Sequence, residues 1–269
     1  MLEAIFLGIV QGLTEFLPIS SSAHIRIVGT FMTNANDPGA AFTAITQIGT
    51  ELAVLIYFRR DIGRILKAWF TRDGSAEARL GTLIIIGSLP IVVLGYLGQD
   101  YITTNFRSLW VVATMLIVFG LILGFADRVA PEDRDLTQLG ARDGLAYGMA
   151  QSLALIPGVS RSGATIALGR LLGYKREAAL RYSFLLALPA VFGSGLYELK
   201  QAMDDSSVSV YSMPQIAVAT LTAFIIGYAV IAWLMKYIST KSFTPFVIYR
   251  VALGSALLIA LATGVISAQ

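Results

Sequence analysis

Within ten residues the sequence places a carboxylate, three hydroxyls and the only histidine of the chain: Glu15, Ser20, Ser21, Ser22 and His24. Gln11 stands four positions before Glu15, so on a helix the two share a face. A second segment, Ile156 to Thr165, sets Arg161 among Gly158, Gly163 and the hydroxyls of Ser160, Ser162 and Thr165. It opens into a helix expected over 166–172. Backbone N–H groups at such a helix start, with the loop residues Gly158, Ser160, Ser162 and Thr165, cradle an anion. Arg161 can grip phosphate oxygens bidentately. An acid, an imidazole, hydroxyls and a phosphate grip form a set for phosphoryl transfer. Glu15 with the amide oxygen of Gln11 suits Mg²⁺ or Ca²⁺, which take oxygen ligands. A single histidine and no cysteine argue against zinc. Structural roles compete with these readings. Ser20, Ser21 and Ser22 can cap the return helix, His24 can sit at the surface, and Arg161 can pair with Glu15, which is compatible with holding an empty site.

The elements that position these groups lie in lipid. Of 269 residues, 56% are hydrophobic and 14% charged, with a mean hydropathy of +0.71. Soluble domains carry about 25% charged residues. The composition excludes a disordered chain, a nucleic-acid-binding basic domain and an ordinary soluble enzyme. Continuous apolar runs favour helices over a membrane barrel. Six stretches approach the roughly 20 residues a span needs: 38–58, 80–98, 108–126, 182–199, 214–235 and 246–267. Two more, 4–19 and 144–157, are short and end at Pro18 and Pro157 before serine-rich loops. Each reads as half of a re-entrant hairpin, which membranes tolerate where protein or a wet cavity surrounds it.

Charge placement orients this scheme. The loops 59–79, 127–143, 170–181 and 236–245 hold 15 of the 20 Lys and Arg residues, against Arg26, Arg107 and Lys200 opposite. The positive-inside rule puts the basic loops in the cytoplasm and both termini outside. Ile62 to Phe70, with apolar residues among Arg64 and Lys67, reads as a short interfacial helix. Gly8 to Leu13 aligns with Gly148 to Leu153 at an offset of 140. Each half, about 1–126 and 144–269, is then one hairpin (4–30 or 144–170) plus three spans. Three spans invert the second half and bring the hairpin tips together near the midplane. The fold expected is an all-α polytopic membrane protein in a single domain. Among the other polar residues in the spans, Gln47 and Glu51 share a face, and Glu51 reads as cavity-lining or structural. Arg250 reads as an interfacial or ion-paired residue, and Glu132 to Asp135 as a solvated connection.

Along its whole length the chain resembles the bacitracin-resistance family of undecaprenyl-diphosphate phosphatases. The motifs are Gln11 to His24, Phe42 to Thr50, Pro157 to Thr165 and Tyr182 to Pro189. The resemblance implies an integral enzyme of the bacterial cytoplasmic membrane that removes one phosphate from a C55 lipid diphosphate carrier, in cell-wall synthesis, with a divalent metal. It implies Ser21 as nucleophile, His24 as acid/base, Arg161 as phosphate ligand and Glu15 as metal ligand. Attack by metal-bound water or by His24 itself fits the same residues. The family's first acid, often Glu, is Gln11 here, which removes one metal-binding charge. Ser22-Ala23 stands where some members have Thr-Gly. The partners implied are the lipid substrate and surrounding lipids, and a homodimer is compatible with the sequence. A transporter or lipid flippase is the competing reading, since inverted repeats with broken helices are also a transporter architecture.

Overall fold

A computed structural model describes residues 1–32, 38–106, 108–204 and 209–267. Arg107, counted above among the opposite-side charges, lies outside them. The described residues form eleven α-helices and no β-strand. In chain order they are α1 (Leu2–Thr14), α2 (Ser21–Gly29), α3 (Gly39–Tyr57), α4 (Arg59–Thr71), α5 (Ala76–Asn105), α6 (Leu109–Val129), α7 (Ala141–Ser152), α8 (Arg161–Leu171), α9 (Arg176–Asp204), α10 (Met213–Ile238) and α11 (Thr244–Ala262).

Five helices, α5, α6, α9, α10 and α11, are long and apolar enough to cross a membrane. The α3–α4 pair passes the same test but bends by 79°. So α3 supplies a sixth crossing, and α4 turns away to bury Ile65 and Ala68 while exposing Leu66 and Phe70. The chain is a multi-pass membrane protein. The expected spans are recovered, but α9 and α5 run well past 182–199 and 80–98. Hydropathy trims polar helix ends that backbone hydrogen bonding carries on. Pro90 and Pro189 stay inside their helices.

All four basic loops meet at one end of the bundle. Asp61 pairs with Arg181 at 2.8 Å, Arg79 donates to the Thr137 carbonyl at 2.5 Å, and Phe243 N–H donates to Asp127 at 3.0 Å. The loop expected to be merely solvated is tied down there. Arg170 and Arg176 both reach Asp127, at 3.2 and 2.7 Å, and Glu132 accepts from the same two arginines. Arg134 pairs with Asp143 at 2.6 Å and stacks over Tyr174. Burial, and then the hydrogen bond to Asp143, hold the Tyr174 hydroxyl above its ordinary range. The reason is local: α8 and α9 turn a tight corner at Gly173, and its arginines need nearby counter-charges.

The two hairpins are built alike. α1 packs on α10 and α7 packs on α5, while α3 meets α9 and α6 meets α11. Glycine makes the first two contacts close. A Cβ at Gly8 would stand 2.5 Å from the Ala219 carbonyl oxygen, and one at Gly148 would strike the Gly87 backbone. Small residues at such crossings let helices approach in lipid. Gly8→Ala and Gly148→Ala are each expected to cost about 1–3 kcal/mol of stability through overpacking. Thermal unfolding in detergent checks this. The control is Gly193→Ala, where a Cβ meets nothing within 4 Å.

Candidate active site

The two tips meet in one buried cluster. α1 ends at Thr14, and Glu15 keeps helical dihedrals as its C-cap. The chain then turns, because Phe16 and Ile19 leave the helix for the core. Phe16 lies edge-on to Phe184 of α9 at 5.3 Å. Ser20, at φ 73°, starts α2 by accepting from Ala23 N–H at 3.4 Å. The second tip repeats this. Ser160, at φ 69°, accepts from Gly163 N–H at 3.1 Å. In both tips the cap hydroxyl also lies 3.2 Å from the serine two positions on, Ser22 or Ser162. A non-glycine residue at positive φ costs of order 1–3 kcal/mol and persists only where its surroundings enforce it. Two such residues frame this one site.

The cap at Ser160 corrects the expected helix start. α8 begins at Arg161 rather than 166, so Arg161 projects from a fixed first turn instead of a loop. Its Nη2 donates to Glu15 Oε1 at 2.6 Å and to Glu51 Oε1 at 2.7 Å. Ser21 Oγ donates to Glu15 Oε2 at 2.5 Å, and Gln11 Nε2 donates to the same oxygen at 2.7 Å. Gln47 approaches it at 3.4 Å. Glu51 therefore belongs to the cluster, and its four-residue spacing from Gln47 is the signal that brings both in from α3. The side chains of Glu15 and Glu51 are 3% and 0% exposed and that of Arg161 14%, so the arginine forms the open side.

Other expected residues point elsewhere. Ser21 and His24 share no hydrogen bond. His24 Nδ1 lies 2.7 Å from the Ser20 carbonyl, an acceptor only, so Nδ1 carries the proton. Nε2 of the neutral ring then accepts from the Tyr249 hydroxyl at 2.7 Å. Bonding to its own preceding turn swings the ring toward α11, and Glu15 becomes the partner of Ser21. Thr165 bonds Ser183 of α9 at 2.6 Å, away from the cluster. Gly158, at φ 95°, is buried against α6, where a Cβ would stand 2.5 Å from the Val112 carbonyl oxygen. Ser162 donates to the Leu17 carbonyl at 3.3 Å and so bridges the tips. Arg250 is not interfacial, and among the described residues it has no ion pair. It is wholly buried and donates only to carbonyl oxygens.

Three polar atoms of the cluster are buried without a partner among the described residues: Arg161 Nη1, Glu51 Oε2 and Gln11 Oε1. An unmade buried hydrogen bond costs about 1–3 kcal/mol, more at a charged group. A free guanidinium N–H beside free oxygens is equipped for a ligand that brings both acceptors and a cation. No group of three or more His, Cys, Asp or Glu with metal-binding geometry occurs among the described residues. The donors present, two carboxylates and an amide oxygen, are nonetheless hard oxygens. Two carboxylates also face a single guanidinium, an imbalance that a divalent cation would offset. The set fits Mg²⁺ or Ca²⁺ in type.

A family described as bacitracin resistance protein BacA matches residues 4–256. Relatives named undecaprenyl-diphosphatase are 60% identical in Paenarthrobacter aurescens (strain TC1) and 61% in Micrococcus luteus, each over 99% of both chains. Undecaprenyl-diphosphatase 2 of Agrobacterium fabrum is 59% identical over 99% of this chain and 98% of its own. With the match running through both tips and all six crossings, the chain belongs to the bacitracin resistance protein BacA family.

Proposed function

We propose that the protein hydrolyses undecaprenyl diphosphate to undecaprenyl phosphate and inorganic phosphate. This returns the lipid carrier to cell-wall synthesis and confers resistance to bacitracin. The observation that carries the reading is the half-satisfied Arg161, held by two carboxylates at the meeting point of the tips with a buried N–H left over. Whole-length identity to proteins named undecaprenyl-diphosphatase supports the substrate.

The steps follow from the bonds in the cluster. Arg161 binds phosphate oxygens through Nη1 and turns its fork toward the terminal phosphate. Ser21 Oγ attacks the terminal phosphorus and passes its proton to Glu15, to which it already donates. The P–O bond to the inner phosphate breaks, and undecaprenyl phosphate leaves. Water then cleaves the phosphoserine, and Glu15 returns the proton to Ser21 Oγ as phosphate departs. The water's proton passes to the Tyr249 hydroxyl as that hydroxyl gives its own to Nε2 of His24, and the imidazolium returns a proton to solvent after phosphate leaves. Glu15, Glu51 and Gln11 would hold a divalent cation. When bound, such an ion neutralises charge building on the phosphoryl oxygens. A covalent phosphoserine at position 21 supports this sequence, whereas phosphohistidine at 24 would make His24 the nucleophile.

Purified protein given undecaprenyl diphosphate should release one phosphate per lipid, and a chelator should stop it. Lipid movement across vesicles without phosphate release would support a flippase instead. Tyr249→Phe removes one of the two hydrogen bonds on His24, worth about 1 kcal/mol, so kcat should fall about fivefold. An unchanged kcat in that variant would remove Tyr249 from the account. The membrane is the bacterial cytoplasmic membrane, with the basic end of the bundle in the cytoplasm and both termini outside. The halves form an inverted repeat, a reading supported by the matched tips and the exchanged packing partners. A second copy of the chain as partner is tested by crosslinking in membranes.

A further inference from the structure

Arg250 of α11 is the second buried guanidinium of the molecule that touches both tips, and the mechanism above does not use it. None of its side chain is exposed, and it has no carboxylate partner among the described residues. Five carbonyl oxygens surround it within 3.2 Å. Pro18, at 3.0 Å, belongs to the first tip. Gly158 and Val159, at 2.8 and 3.0 Å, belong to the second. Met115 and Leu116, at 3.2 and 3.1 Å, belong to α6. Pro18 lies three residues from both Glu15 and Ser21, and Val159 lies two residues from Arg161.

We propose that Arg250 is a positioning residue. It sets the separation of the tips, and thereby the meeting of Arg161 with Glu15, without touching substrate. The inference rests on the phosphatase reading of the same site. The chemistry of the group carries it. A buried charge without a counter-ion is costly, and an apolar side chain would avoid that cost if packing were all that was needed. A planar fork with five N–H donors satisfies carbonyls from three segments at once and fixes their relative positions. A lysine ammonium has three donors on one atom and cannot span them. Gly163, at the start of α8, leaves room for the fork. A Cβ there would come within 2.9 Å of Arg250 Nη1.

The test uses two variants that keep a positive charge. Arg250→Lys should lower kcat on the order of 100-fold with KM nearly unchanged, the signature of misplaced reacting groups. Gly120→Ala adds a methyl 3.1 Å from Arg250 Cβ, on α6 and away from the cluster. It should give a smaller fall in kcat, roughly tenfold, again at constant KM. Both are measured on folded, detergent-purified protein with undecaprenyl diphosphate. Wild-type kcat in both would overturn the assignment. So would losses that merely track the amount of folded protein. If Arg250→Lys does not fold, Gly120→Ala decides alone. Failure of the wild-type protein to release phosphate would instead overturn the phosphatase reading, so the two failures are distinguishable.

Discussion

Glu15→Ala is expected to lower turnover by about 10³-fold, the scale of a lost general base. The same carboxylate accepts from Ser21, Gln11 and Arg161 at 2.5, 2.7 and 2.6 Å. Its removal takes away the proton acceptor of Ser21 and one of the two supports of Arg161. Glu15→Gln separates these roles. The amide keeps the shape and an acceptor oxygen but binds a proton poorly, so turnover should stay low while the fold is retained. Phosphate release measured beside a thermal melt distinguishes the two losses. Wild-type turnover in Glu15→Gln would make Glu15 a structural partner of Arg161 only.

The second large effect is at Arg161. Arg161→Ala should cost about 10²–10³-fold in kcat/KM, as for removal of a donor aimed at developing charge. Arg161→Lys should recover little, because a point charge cannot reach Glu15, Glu51 and a phosphate together. The alanine variant also leaves two buried carboxylates unpaired, and breaking a buried ion pair costs about 3–5 kcal/mol. Glu51→Gln in the same chain should restore part of that stability without restoring activity. If the double variant is no more stable than Arg161→Ala, the Glu51–Arg161 contact is not the stabilising one.

Much of this was legible in the residues. Length and apolarity mark the six crossings, and basic loops mark one end of the bundle. Two short proline-ended segments, too short for full spans, mark the tips. Glu15, Ser21 and Arg161 stand out as polar groups at membrane depth, where burying them unpaired is costly. The parts that were not legible depend on direction rather than type. Nothing in the spacing of Ser21 and His24 says that His24 bonds its own preceding carbonyl and turns to Tyr249. Thr165 looks like a third hydroxyl of the cradle until α9 presents Ser183. Ser160 caps α8 early, and that single hydrogen bond decides whether Arg161 stands on a loop or a helix. Arg250 lies one turn into its span and so reads as interfacial. The two tips, together with α6, carry their carbonyls to it and bury it. Glu51 was visible as a partner of Gln47, but its reach to Arg161 across the bundle depends on how α3 packs against the rest.

The most direct test of the central claim is phosphate release from undecaprenyl diphosphate by purified wild-type protein and folded Arg161→Ala protein, side by side. The wild type should give one phosphate and one undecaprenyl phosphate per lipid, and the variant a rate lower by about 100-fold or more. Equal rates, or no release by the wild type, would contradict it.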